Sequence, residues 1–431
     1  FVTDFYARPS WRRGLPGFLA RRCKAGLPAA KTAMGLASFV VQYAGEALKL
    51  PMHKVFRLSD RLLAQAAARR AARRGASLYA YASYLPQRPR LAAGAKIIDF
   101  EFHPHADLAI QILREDFARF PQVAWSMERE EAGLLRDRAE APWRHADAVV
   151  CASAMTRRAL EHVGCPPEKI TVVPYGIAPS TAPVPQRAAG PCRFLYVGQG
   201  LSRKGLHHLA QGWRLAAPAE AELTVVAYRI DPGIKAMLDQ RGICHLGYQS
   251  RAELEAHFAS SDVFIMPSLI EGFGLVYLEA LQAGCHVVGT LNTGLPDLNL
   301  SADAATVLPV GDLAAIADTI TALAARKAAG GFCRSQILCD LIVASRHRRH
   351  NLGHHAAADD EESESEEQQQ PEDLAGISFG KLRDLWHGLI RLGTKRRNST
   401  LLRASGWAHQ KIVSGPDGCE QPAGTNERQV R

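Results

Sequence analysis

The chain has no Cys-x-x-Cys pair, and its nine cysteines stand apart as singletons. No Cys/His spacing matches a zinc finger either, so neither a disulfide framework nor a structural zinc site is expected. Reduced thiols in a cytosolic compartment fit this usage. No apolar run reaches the roughly eighteen residues that a spanning helix needs. No secretory leader is recognisable, and the expectation is a cytoplasmic protein, at most peripheral to the inner face of a membrane. Aromatic residues make up only 7% of the chain. None of them interleaves with the basic run Ala68-Arg-Arg-Ala-Ala-Arg-Arg74, so no nucleic-acid partner is expected.

What is present suits a folded, mainly globular chain. Its 431 residues are enough for two or three domains with sizeable cores. An apolar share of 47% and a charged share of 22% are ordinary for a water-exposed fold. The net charge of +9 permits attraction to anionic membranes, nucleic acid or phosphorylated substrates and selects none of them. Residue 1 is Phe, and Phe1–Tyr6 already reads as a strand entering a loop, so a short preceding segment is expected.

The stretch Asp262–Gly284 organises the rest. Asp262-Val-Phe-Ile-Met266 reads as a strand closed by Pro267-Ser268, and Glu271-Gly-Phe-Gly274 as a glycine-bearing loop. A helix starts near Leu275 and stops at Gly284, a residue suited to the left-handed position past a helix end. With His286-Val-Val-Gly289 as the next strand, this makes a right-handed parallel unit. Glu271 sits at the helix mouth and Glu279 roughly 8 Å along the axis, at about 1.5 Å per residue. Between them lie the free amides at Gly274, Leu275 and Val276, which favour an anion. A ligand satisfying all three carries a hydroxylated ring, a diphosphate and a second hydroxylated ring, which describes a nucleotide-sugar. Two unrelated solvated glutamates are the plainer alternative for this pair.

The motif Pro-Ser-x-x-Glu-Gly-Phe-Gly-Leu-x-x-x-Glu-Ala over residues 267–280 resembles the signature of family 4 glycosyltransferases, which have the GT-B fold. The remainder agrees in outline. Strands are expected at Ala95–Phe102, Pro121–Ser126, Ala148–Ser153 and Lys169–Ile177, with helices at His53–Arg74, Ala106–Phe117 and Met155–Val163. The last of these strands is similar to the family's Val-x-Pro-x-Gly-Val segment. A second series follows: strands at Cys192–Val197, Glu222–Ala227, His245–Tyr248 and Ala305–Leu308, and helices at Leu206–Ala216, Arg251–Ser260 and Asp312–Ala325. The loop Gly198-Gln-Gly-Leu-Ser-Arg-Lys-Gly205 looks like the family's phosphate site, with Gln199 where many members carry a second Arg. It fits neither a dinucleotide fingerprint, which needs Gly at 203, nor a P-loop, which needs Lys-Ser or Lys-Thr after Gly205, where Leu206-His207 stand.

The expected fold is α/β: two doubly wound Rossmann-like domains facing across a cleft. Residues 1–178 form the acceptor side, 179–190 a linker, 191–330 the nucleotide-sugar side, and 331–431 an irregular, largely disordered tail with an acidic block from Asp359 to Gln370. One amphipathic helix is expected in that tail over Phe379–Leu392.

The resemblance implies a retaining glycosyl transfer from a nucleotide-diphosphate sugar to a glycan, lipid or other hydroxyl acceptor. Arg203 and Lys204 would stabilise the leaving diphosphate, Glu271 would hold the sugar hydroxyls and Glu279 the ribose hydroxyls. Gly198 would lie against the phosphates, and the departing phosphate would take the acceptor's proton. His103 and His105 follow a strand's carboxyl end, where ligands gather in open α/β folds, and could touch acceptor or donor sugar; a capping or surface role is the alternative. No Asp-x-Asp triplet occurs, so no metal held by that motif and no cofactor is expected. The basic end of the helix at residues 53–74 would dock on an anionic membrane surface, or simply face water. A catalytically inactive, membrane-associated nucleotide-sugar-binding protein and a nucleotide-sugar epimerase or phosphorylase on the same fold remain open. On the transferase reading, Glu271→Ala and Lys204→Ala each lower turnover by orders of magnitude with folding intact.

Overall fold

The structure is a computed structural model that describes residues 2–3, 33–81, 88–137, 141–177, 189–332 and 337. All of them fall within the unit Phe1–Ser363. The loop expected after the first strand, residues 179–188 of the expected linker, the acidic block and the helix at 379–392 lie outside the described residues.

The first half carries β1 (Val2–Thr3) and β2 (Ala33–Met34), which pair parallel with each other. A four-stranded parallel sheet follows, in the order β3 (Leu78–Tyr81), β4 (Ile97–Glu101), β5 (Ala148–Cys151), β6 (Ile170–Val172). Its helices are α1 (Leu36–Ala47), α2 (Met52–Arg73), α3 (Ala106–Arg119), α4 (Ala124–Asp137) and α5 (Ala154–His162). On α2, Ala68 and Ala71 pack against Leu78 and Ile97, while Arg69, Arg73 and Arg74 stay exposed.

One expectation fails here. Residues 121–126 are not a strand: Pro121–Val123 form a 3-10 turn that runs straight into α4. Val123, Met127 and Glu130 follow helical rather than alternating spacing. Val123 and Met127 are buried on one face, and the run Glu128–Leu135 is rich in helix formers. The short apolar window around Val123 and Trp125 is too brief to tell the two periods apart.

The second half contains β7 (Cys192–Gln199), α6 (Leu206–Ala216), β8 (Ala221–Tyr228), α7 (Pro232–Met237), β9 (Ile243–Leu246), α8 (Arg251–Ser260), β10 (Val263–Ile265), α9 (Leu275–Gln282), β11 (His286–Thr290), β12 (Ala305–Leu308) and α10 (Leu313–Ala328). The six strands are all parallel, in the order β12-β11-β10-β7-β8-β9. Every residue of β10 and β11 is buried, as expected for central strands covered by helices on both faces. The chain winds outward one way from β7 to β9 and then back across from β10 to β12. The direction therefore reverses between β7 and β10, and in folds of this kind ligands bind at the carboxyl ends beside that reversal.

Candidate functional site

The loops leaving β7 and β10 meet at this reversal. After β7, Ser202–Lys204 make a short 3-10 turn that ends at Gly205 in the left-handed region, φ 69°. A Cβ on Gly205 would lie 1.9 Å from the Pro267 carbonyl oxygen, so only glycine lets the two loops touch. The Arg203 carbonyl accepts from the Leu269 N–H at 2.9 Å, which ties the loops directly. Gly274, at φ 88°, turns the chain into α9, whose Tyr277 Oη donates to the Met266 carbonyl at 2.7 Å.

Three predicted residues converge here. Arg203 Nη1 donates to Glu271 Oε2 at 3.0 Å, and Lys204 Nζ donates to the same oxygen. The side chains of Glu271, Lys204 and Arg203 are 10%, 16% and 24% exposed, so the cluster is partly dry yet reachable. Burial alone would raise the pKa of Glu271. Lys204 and then Arg203 outweigh it and hold the carboxylate at about 2. For Lys204 burial dominates and lowers its pKa, with Arg203 adding to that and Glu271 opposing it. Both members of this pair therefore shift downward: Glu271 faces two cations, whereas Lys204 has a cation as well as an anion beside it. Arg203 faces carboxylates on two sides, Glu271 and Glu130, and they raise its pKa against the effect of burial.

The other predicted residues spread around this cluster. His103 follows β4 and keeps solvent access, yet the protein crowded around it and then Arg203 push its pKa below the usual value. The half that contains it presses on the Glu271 loop, where a Cβ on Gly272 would lie 2.1 Å from the Phe102 carbonyl oxygen. His105 takes the capping role: its Nδ1 accepts from the Asp107 N–H at 3.3 Å at the start of α3, and its ring meets Trp143 edge-on. Glu279, on α9, accepts from Arg251 Nη1 at 2.8 Å and is 34% exposed. Gly198 is still within β7, paired in register with Ala227. Leu275 is exposed at the start of α9, and Val276 packs against the core.

Sequence reasoning missed the residues of the first half that reach into these loops. Ser153 Oγ and Thr156 Oγ1, at the start of α5, both donate to the Gly272 carbonyl. The Ala154 N–H donates to Asp297 Oδ2 at 3.0 Å. From α4, Ser126 Oγ accepts from the Ser202 N–H at 3.2 Å, and Glu130 accepts from Ser202 Oγ and the Arg203 N–H at 2.9 Å each. No motif signals such contacts, because each lies more than seventy residues away in sequence from its partner.

Among the described residues, one buried cluster has metal-ligand chemistry: Asp116 on α3 with His207 and His208 on α6. His207 Nε2 lies 2.7 Å and His208 Nε2 2.6 Å from separate oxygens of Asp116, and neither Nδ1 has a partner. An imidazole that ligates a metal ordinarily passes its other N–H to an acceptor. Two neutral imidazoles that donate from Nε2 to an ionised Asp116 leave only bare Nδ1 acceptors, the cheaper state to bury. The cluster therefore fits a hydrogen-bonded junction between α3 and α6 better than a metal centre. Consistent with that, Asp116 is held well below the usual carboxylate range: burial would raise it, and hydrogen bonds from His207 and His208 win.

Residues 191–326 match the family model described as glycosyl transferases group 1, and residues 29–181 match that of glycosyltransferase family 4. The chain is 26% identical over 198 residues to WcaL of Escherichia coli K12, provisionally assigned as a glycosyltransferase of colanic acid biosynthesis. It is 28% identical over 180 residues to the amylovoran biosynthesis glycosyltransferase AmsK of Erwinia amylovora. These alignments cover 42% and 38% of this chain and 48% and 44% of the relatives, so the chain spans about half the length of the curated relatives it matches. Among solved structures, the sucrose-phosphate synthase of Thermosynechococcus elongatus superposes with a TM-score of 0.50 at 18% identity, covering 72% of this chain and 81% of that one. That likeness concerns the fold.

Proposed function

Since the chain belongs to the group 1, family 4 glycosyltransferases, with their two-halved α/β fold, we propose that it transfers a sugar from a nucleotide-diphosphate donor to a hydroxyl acceptor, with retention at the anomeric carbon and without a metal. The acceptor is a glycan or lipid-linked glycan of surface polysaccharide assembly, in line with the names of WcaL and AmsK. The observation that carries this reading is the meeting of Arg203, Lys204 and Glu271 at the strand-order reversal between β7 and β10.

Glu271 pairs with both cations. An incoming diphosphate displaces it from Lys204 and from the Arg203 Nη1 edge, and frees its carboxylate for the donor sugar's hydroxyls. The two cations then face the oxygens on which charge develops as the glycosyl bond breaks, which is electrostatic stabilisation of the leaving group. The amides opening α9 add donors on the same side. Glu279 exchanges Arg251 for the ribose hydroxyls, and His103 lies on the sugar side. The departing phosphate takes the acceptor's proton, as in the resembled family, so no protein nucleophile is assigned.

No helix among the described residues is long and apolar enough to cross a membrane. The exposed arginines of α2 suit loose docking on an anionic cytoplasmic surface that presents a lipid-linked acceptor. The test is a panel of nucleotide-diphosphate sugars offered to the protein with and without chelator, with and without acceptor extracts. Release of the nucleoside diphosphate and an axial or equatorial linkage matching the donor's are expected. No turnover of any donor overturns the transferase reading, an inverted linkage overturns retention, and loss of activity with chelator overturns metal independence.

A further inference from the structure

Ser126 and Glu130 are four residues apart on α4, so they share one helical face, and that face enters the phosphate loop of the other half. Glu130 is 7% exposed at its side chain and uses both oxygens. Oε2 accepts from Ser202 Oγ and the Arg203 N–H at 2.9 Å each, and Oε1 accepts from Arg203 Nε at 3.2 Å. These contacts have two consequences. The loop amides of Ser202 and Arg203 are already taken by Ser126 and Glu130. The guanidinium is gripped along its Nε edge from one half and presents Nη1 to Glu271 and the Ile270 carbonyl in the other, at 3.0 and 3.3 Å.

We propose that Glu130 is a positioning residue for the transfer, which aims the Arg203 guanidinium at the donor diphosphate and does so only when the two halves are docked. This rests on the transferase reading above. A guanidinium held on one edge has a single orientation left for its other edge, and its planar fork fixes the angle between the two partners, which the rotatable donors of an ammonium do not. Without Glu130, Arg203 is free to fold fully onto Glu271, which would block both the phosphate and the sugar contacts. Coupling through Glu130 also places an anion of the first half in the donor site of the second, so separation of the halves would release Arg203 from its firing position.

The test is a double-mutant cycle on hydrolysis and transfer of UDP-glucose, or of whichever nucleotide-sugar the wild type turns over best in the panel. Glu130→Gln keeps the shape and an acceptor oxygen but loses the charged grip on Nε. It should lower kcat about tenfold to a hundredfold, with a smaller change in the donor KM, and Glu130→Asp should recover part of the loss. In an Arg203→Ala background the same change should cost less than about threefold, because neighbours that act as a unit are not additive. Full additivity in the cycle, or a Glu130→Gln protein with wild-type kcat, overturns the inference while leaving the transferase reading standing. Should Glu130→Gln not fold, Arg203→Lys decides: a bridging role makes it nearly as slow as Arg203→Ala, and wild-type turnover overturns the proposal. A wild type that turns over no donor removes the transferase reading and this inference with it.

Discussion

Replacing Glu271 by Gln takes one negative charge from between two cations and leaves the side chain's shape nearly unchanged. Glutamine imitates the protonated acid, so the depressed pKa gives the cost. A fall from 4.5 to about 2 corresponds to about 3 kcal/mol of preference for the charged form in the folded protein. The sign follows from which state holds the proton. Between about pH 2 and 4.5 the unfolded chain binds it and the folded one does not, so the contribution is complete above about pH 4.5 and drains away as pH falls towards 2. At pH 7 the Glu271→Gln protein should unfold in urea with about 3 kcal/mol less stability than the wild type, and the gap should begin to close below about pH 4.5. Saturating nucleoside diphosphate should restore stability to the variant at least as strongly as it adds to the wild type, since Lys204 and Arg203 are then less neutralised before it arrives. Transfer should be lost by orders of magnitude. Equal stability of the two proteins at pH 7 would refute the reasoning, because it would mean that the ion pairs with Lys204 and Arg203 contribute nothing. The expectation that replacements at this position leave folding untouched is replaced by this one: the sequence marks Glu271 as a ligand contact, whereas the fold also makes it the counter-ion of a buried pair.

Gly205→Ala should cost about 2–3 kcal/mol and slow transfer by a hundredfold or more, because a Cβ at φ 69° collides with the Pro267 carbonyl and pushes Arg203 and Lys204 off their mark; urea unfolding together with donor turnover checks both. Asp99 on β4 is buried beside Glu101, and burial pushes its pKa up to about 7 against the lowering effect of Glu101 and the Phe100 backbone. A raised acid pKa stabilises the fold below the unfolded value, and that stability is lost as pH rises through the folded value. Asp99→Asn should therefore stabilise at pH 8 and change little at pH 4, read from unfolding midpoints at the two pH values.

Local chemistry was enough to read most elements of the second half. Its central strands are mostly apolar, two of its helices open at Gly205 and Gly274, and the loops at 198–205 and 266–274 carry their charges within a few residues of the glycines that shape them. Arg203, Lys204 and Glu271 were legible for this reason: each sits in a short motif whose spacing constrains the chemistry. The misread strand at 121–126 shows the limit, since six residues cannot separate a period of two from one of 3.6 and only the burial of Val123 and Met127 against other elements decides it.

What the sequence determined by itself is therefore the kind of fold and the ingredients of the site, because strand, loop and helix signals act over a dozen residues or fewer. The tertiary structure alone decided who meets whom. That Glu130 grips Arg203, that Asp116 binds two histidines and that Glu279 pairs with Arg251 all depend on how distant segments pack. Such contacts are chosen by shape and charge as the formed elements pack, and nothing in the spacing of residues along the chain encodes them.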